Sequence, residues 1–196
     1  MSKSIIDLLE AYPLPERIET PKYKIFCDMD GVLTDFETQF HTKLNQVGKD
    51  YYPMKDIATV VKPKDFEAIF GLEEFWKFID YHIGVGFWVG MPWMPRGQEL
   101  WDFIKKYQPT LLTSPSKNNQ SRLGKNLWVR NNLSPKPKVI FAYSADKQRH
   151  AAPNHILIDD KKSNIAEWEA AGGIAFRVKK GNISPALEGL KELGYE

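Results

Sequence analysis

Five short apolar runs punctuate this chain, and three of them end in aspartate or serine. They are Tyr23–Asp30 (YKIFCDMD), Thr110–Ser114 (TLLTS), Lys138–Tyr143 (KVIFAY), His155–Asp160 (HILIDD) and Gly173–Val178 (GIAFRV). Apolar runs this short, bounded by turn residues, read as buried strands. Helical patterns lie between them. Gly97–Tyr107 puts Leu100, Trp101, Ile104 and Tyr107 on one face. Lys117–Asn132 does the same with Leu123, Leu127 and Trp128, and Ser116 stands ready as its N-cap. Lys161–Ala171 stops at Gly172-Gly173, and Ser184-Pro185 can open a last helix. Strands alternating with helices predict right-handed βαβ units. The expected fold is α/β, with a Rossmann-like parallel sheet of about five strands, the number of such runs.

One stretch breaks that rhythm. Residues 36–92 follow the first strand, are rich in Phe, Trp and Tyr, and are too long for a loop. Asp65–Phe70 and Glu73–His82 look helical. The stretch reads as a mostly helical cap inserted after the first strand, over the carboxyl edge of the sheet where ligands of open α/β sheets bind. The core is then 23–35 and 93–196. Residues 1–22 form an N-terminal extension, with a short helix over 4–11 ended by Pro13 and Pro15.

Composition narrows the function. Lys and Arg number 27 against 25 Asp and Glu, a net charge of +2. That gives little pull toward nucleic acid or membrane, so no stable nucleic-acid partner is expected. No run of about 18 apolar residues is present, so no membrane partner is expected. Asp7 and Glu10 interrupt the first apolar stretch, against a signal peptide. The single Cys27 cannot form an intrachain disulfide and reads as a small buried hydrophobe. A cytoplasmic location is the expectation. No Walker-type glycine loop supports ATP hydrolysis by that route.

The acids carry the chemistry. Asp28 and Asp30 sit where the first strand meets Gly31, and Asp159-Asp160 end another run. Acids at the ends of buried strands are costly unless paired. A hard divalent cation such as Mg²⁺ would pair them and leave room for phosphate oxygens. Thr113 and Ser114 end a third strand and offer hydroxyls. Lys147, beyond the 138–143 run, offers a cation.

DMDGVLTD, LLTS, a Lys and LIDD, in that order, resemble the four motifs of the haloacid dehalogenase superfamily over about residues 23–180. The resemblance implies that Asp28 is the nucleophile that forms an aspartyl-phosphate. It implies that Asp30 is the general acid and then base, that Thr113 binds phosphoryl oxygens, and that Lys147 offsets charge. Mg²⁺ would be held by Asp28, the main chain of Asp30, and Asp159. LLTSPSKN, Gly124-Lys125, Trp128-Val129, and Asp146-Lys147 followed by Leu157–Asp160 further resemble the 5'(3')-deoxyribonucleotidase family. That likeness implies a (deoxy)nucleoside monophosphate substrate, with Ser114 and Lys117 at the phosphate and cap aromatics such as Phe75 and Trp76 at the base.

Other readings stand beside these. The same core could serve another small phosphorylated metabolite, nucleic-acid 3' ends, or a binding protein without catalysis. Asp35 can be a cap or a substrate contact, and Asp160 a metal neighbour or the N-cap of 161–171. Lys125 reads as a surface residue, and Lys161-Lys162 as a solvated helix start. Exposed cap aromatics would offer a homodimer surface.

Overall fold

The computed structural model describes residues 22–196. The helix expected over 4–11 lies outside them. Five strands form one parallel sheet: β1 (Lys24–Cys27), β2 (Thr110–Thr113), β3 (Lys138–Phe141), β4 (His155–Asp159) and β5 (Ile174–Arg177), in the order β3-β2-β1-β4-β5. β1 is central. Its Cys27 is in register with Leu111 of β2 and Ile158 of β4. The Asp28 N–H extends that ladder to the Ile158 carbonyl at 2.9 Å. Both faces of the sheet are covered, and so β1, β2 and β4 read as continuous apolar runs and not as alternating ones. Phe26, Leu112, Leu157 and Trp168 pack on one face, and Ile25, Cys27, Leu111, Ile156 and Ile158 join the larger core on the other.

Helices fill the positions that the sequence indicates, with trimmed ends. Those of the core are α6 (Gly97–Ile104), α7 (Asn119–Asn132), α8 (Lys162–Ala170) and α9 (Ser184–Glu192). The inserted stretch holds α1 (Phe36–Val47), α2 (Met54–Ile57), α3 (Pro63–Phe70), α4 (Leu72–Lys77), a π-helical stretch Phe78–Ile83, and α5 (Val85–Val89). An aromatic cluster holds it together. The Phe40 ring lies 5.3 to 5.9 Å from those of Phe66, Phe75 and Phe78, a spacing at which rings attract beyond their buried area. α5 packs closely on α7 because position 124 is glycine. A Cβ there would stand 2.4 Å from the Trp88 Cβ.

One cap differs from expectation. α7 starts at Asn119, and the Asn118 side chain, not Ser116, accepts from the Gln120 N–H at 2.9 Å. The Ser116 hydroxyl stands ahead of the helix: it donates to the Asp80 carboxylate at 3.0 Å and accepts from the Asn118 N–H at 3.2 Å. No helix of the described residues is long and apolar enough to cross a membrane.

Candidate active site

The site grows from the turn after β1. The Met29 carbonyl accepts from the N–H groups of Leu33 and Thr34 at 2.8 Å, and the Gly31 N–H donates to the Thr34 carbonyl at 2.8 Å. This knot requires φ of +78° at Gly31. It also brings the backbone against Asp160, so that a Cβ on Gly31 would lie 2.5 Å from Asp160 Oδ2. Gly31→Ala is therefore expected to cost about 1–2 kcal/mol through the left-handed backbone alone. It should also displace the Asp160 carboxylate. Chemical denaturation with and without Mg²⁺ measures both losses.

Strand pairing then delivers the charges. Asp28 follows β1, and Asp159 ends the neighbouring β4. Between them lies Lys147, 1% exposed, with its Nζ 2.7 Å from Asp28 Oδ2 and 2.7 Å from Asp159 Oδ2. Asp159 is held further by Asn164 Nδ2 at 3.0 Å and by the Lys161 N–H at 2.9 Å. α8 is thus capped at Lys161, and Asp160 is free to join the acids. Carboxylate oxygens of Asp28, Asp159 and Asp160 all lie within 4.8 Å of one another.

Three carboxylates against one ammonium leave a formal charge of −2. Burial pulls the Lys147 ammonium down, but Asp28 and Asp159 outweigh it and hold the lysine charged. One lysine cannot serve every acid. Burial and the Asp28 charge push Asp159 up to about 6 in spite of its ion pair. Burial, Asp28 and Asp159 push Asp160 to about 7. Excess negative charge, oxygen donors and a close-set triplet fit a hard divalent cation such as Mg²⁺.

A pH dependence follows. The folded protein without metal holds protons on Asp159 and Asp160 more tightly than the unfolded chain, whose aspartates titrate near about 3.9. Its stability should therefore fall as pH rises from about 4 to about 7, because the folded state binds more protons across that window. Mg²⁺ should raise the Tm strongly at pH 8 and little at pH 5. Asp160→Asn should raise the metal-free Tm at pH 8 and shrink the Mg²⁺ increment. Thermal melts across pH with chelator or Mg²⁺ give both comparisons.

Asp30 belongs to a second network. Its Oδ1 accepts from Thr34 Oγ1 at 3.0 Å, and its Oδ2 from Lys125 Nζ at 2.6 Å. Lys125 corrects the sequence reading: it is fully buried, not on the surface. Its three protons go to Asp30, to Thr113 Oγ1 at 2.8 Å and to the Ser114 carbonyl at 2.7 Å. The Trp88 ring beneath it, 5.2 Å away, favours the cation further. A signal existed in the sequence, because Lys125 is spaced four residues from Ser121 and Val129, which share its buried face.

A cavity of about 620 Å³ opens on these groups, lined among others by Asp28, Asp30, Asp35, Phe36, Ser114 and Asp160. Asp35 does cap α1, through the Thr38 N–H at 2.9 Å. Lys161 is exposed at the start of α8, as the sequence suggests; it also lines this cavity, where its Nζ meets Ser144 Oγ at 3.0 Å. Lys117 and Trp76 line a different, neighbouring cavity. Phe75 lines neither. It is 2% exposed within the aromatic cluster of the inserted segment, which corrects its reading as a substrate contact. Adjacent aromatic positions on one helix face different ways, and Phe75 faces inward. Cys27 is fully buried, and burial pushes its thiol well up, as befits an inert core residue.

Solved structures show the same fold. A hydrolase from Streptococcus pneumoniae TIGR4 matches with a TM-score of 0.52 at 14% identity, over 85% of this chain and 99% of that one. A predicted phosphatase from Clostridium acetobutylicum gives 0.52 at 14%, over 88% and 91%. A predicted HAD-like family hydrolase from Porphyromonas gingivalis gives 0.50 at 18%, over 86% and 97%. The likeness at these identities is one of fold: an α/β, Rossmann-like parallel sheet with flanking helices. No family model and no curated protein sequence matches the chain.

Proposed function

We propose that this chain is a Mg²⁺-dependent phosphomonoesterase that converts (deoxy)nucleoside monophosphates to nucleoside and phosphate through an aspartyl-phosphate on Asp28. The observation that carries the reading is Lys147, buried and bridging Asp28 and Asp159 at the carboxyl ends of adjacent strands, beside a third acid. A scaffold gains nothing from so costly a cluster. An anionic substrate with its cation does use it.

The roles follow from the contacts. Asp28 Oδ1 takes the Met29 N–H at 2.8 Å and Oδ2 takes Lys147, which fixes the carboxylate at the mouth of the cavity. A carboxylate oxygen of Asp28 attacks phosphorus as the bond to the leaving alcohol breaks. Asp30 gives its proton to the leaving oxygen. Water then attacks the phosphorus of the acyl phosphate, its proton passes to Asp30, and the Asp28 carboxylate leaves. Lys125 spends its protons on Asp30, Thr113 and Ser114, so it positions these groups. Because Thr113 Oγ1 accepts from Lys125, its own proton is left for a phosphoryl oxygen. Asp28, Asp159 and Asp160 would hold Mg²⁺, which when bound supplies positive charge to the phosphoryl oxygens.

The nucleotide reading rests on the TSPSK and DK…LIDD resemblance, together with room beside the acids for a group of that size. Phosphate release with Mg²⁺ from nucleoside 5'- and 3'-monophosphates, beside sugar phosphates, tests it. Fast release from nucleotides is expected. Release from sugar phosphates alone would keep the chemistry and discard the substrate.

A further inference from the structure

The second cavity, of about 860 Å³, is lined by Leu72, Trp76, Tyr81 and Tyr143 and by polar Asp80 and Ser116, among others. It adjoins the acid cavity along two loops. Ser114 lines the first cavity and Pro115 the second, and Ser144 lines the first and Tyr143 the second. Consecutive Cα atoms are about 3.8 Å apart, so the two cavities are neighbours along these loops.

Asp80 is the unusual member of this lining. It is 3% exposed and sits in the π-helical stretch Phe78–Ile83, a geometry that recurs at functional sites. Its Oδ1 takes two hydrogen bonds, from Trp88 Nε1 at 3.3 Å and from Ser116 Oγ at 3.0 Å. Its Oδ2 takes none among the described residues. The sealed side-chain polar atom without a partner among those residues is Gln148 Oε1, so Asp80 Oδ2 is not sealed but opens to the cavity that Asp80 lines. No cation among the described residues pairs with it, and Lys77 of the same lining turns to Glu74 at 3.3 Å. Burial pushes the Asp80 carboxyl up, as expected for an acid whose second oxygen lacks a donor. The stretch is therefore built to hold an acceptor against an aromatic-walled space.

We propose that Asp80 selects the base: its Oδ2 accepts a hydrogen bond from the exocyclic amino group of cytosine, guanine or adenine, while the base lies among Trp76, Tyr81 and Tyr143. This inference rests on the nucleotide reading and deepens it. Asp and Glu accept well from such amino groups. Uracil and thymine offer one N–H between two carbonyl oxygens, and a carboxylate repels those oxygens. A site built around a buried acceptor rejects ligands that leave it unmatched.

The test is kcat/KM with Mg²⁺ for the 5'-monophosphates of each base, on wild type and on Asp80→Asn. Wild type should favour amino-bearing bases over uracil and thymine by about tenfold or more. The variant keeps an oxygen for Trp88 and Ser116 but turns an amide N–H₂ to the cavity, so the ratio should fall at least about tenfold and move toward uracil and thymine. A wild type that is indifferent to the base, or prefers uracil or thymine, overturns the proposal without any variant having to fold. An equal loss on all bases in Asp80→Asn also overturns it, since Asp80 would then only hold Trp88 and Ser116. Hydrolysis of sugar phosphates and of no nucleotide would instead bring down the nucleotide reading, and this proposal with it.

Discussion

Asp28→Asn is expected to lower phosphate release by about 10⁴-fold or more, the scale at which loss of a nucleophile is felt. In the proposed mechanism this carboxylate forms the new bond to phosphorus, and no neighbour is placed to replace it. Asp30 faces Lys125 and Thr34 instead of Lys147, and Asp159 is fully buried and tied to Lys147 and Asn164. The fold should survive. Removing one of three crowded acids relieves repulsion on Asp159 and Asp160, both of which Asp28 pushes up. The variant should therefore melt no lower than wild type without metal. Circular dichroism melts beside a turnover assay separate loss of chemistry from loss of structure.

Lys147→Met should do both kinds of damage. Methionine fills much of the volume but leaves Asp28 and Asp159 facing each other without their shared cation. Breaking a buried pair by removing one partner costs about 3–5 kcal/mol. The cost should shrink as pH falls, because Asp159, pushed up by burial and Asp28 and no longer pulled down by the lysine, can then take up a proton. Turnover should drop by about 10²–10³-fold, as when one preorganised donor to a developing charge is lost. Equilibrium denaturation at pH 5 and pH 8 checks the first claim, and saturating-substrate kinetics with Mg²⁺ checks the second. A variant as stable as wild type at pH 8 would show that the lysine is not the counter-charge for this cluster.

The parts of this architecture written as local pattern could be read from sequence. Strands buried on both faces must be nearly all apolar, so β1, β2 and β4 announce themselves as FCDMD, LLTS and LIDD runs. The acids at their ends are visible because nothing else explains charge at the close of such runs. What depends on which side a helix turns was less legible. Sequence preference points Lys125 outward and Phe75 toward a ligand, and in the structure both are buried. Charge and aromaticity set preference, but packing sets orientation. Lys125 is drawn inward by Asp30 and Thr113, partners 95 and 12 residues away in sequence. Phe75 is drawn in by Phe40 and Phe66, which together close the aromatic cluster. Ser116 is not the N-cap because α7 starts at Asn119, so that Asn118 takes the Gln120 N–H while the Ser116 hydroxyl turns to Asp80. Asp80 itself carried no local sign in FWKFIDYHIG. A lone acid in a helical pattern looks solvated until the fold buries it.

The central claim is that Asp28 becomes phosphorylated in turnover. The most direct measurement is rapid acid quench of the enzyme turning over its best monoester with Mg²⁺, followed by mass mapping of the peptide that carries Asp28. The account predicts the mass of one phosphoryl group on that residue, rising and decaying with turnover, and absent from Asp28→Asn. Steady turnover with no label on Asp28 at any quench time, or an Asp28→Asn variant that turns over at the wild-type rate, would contradict it.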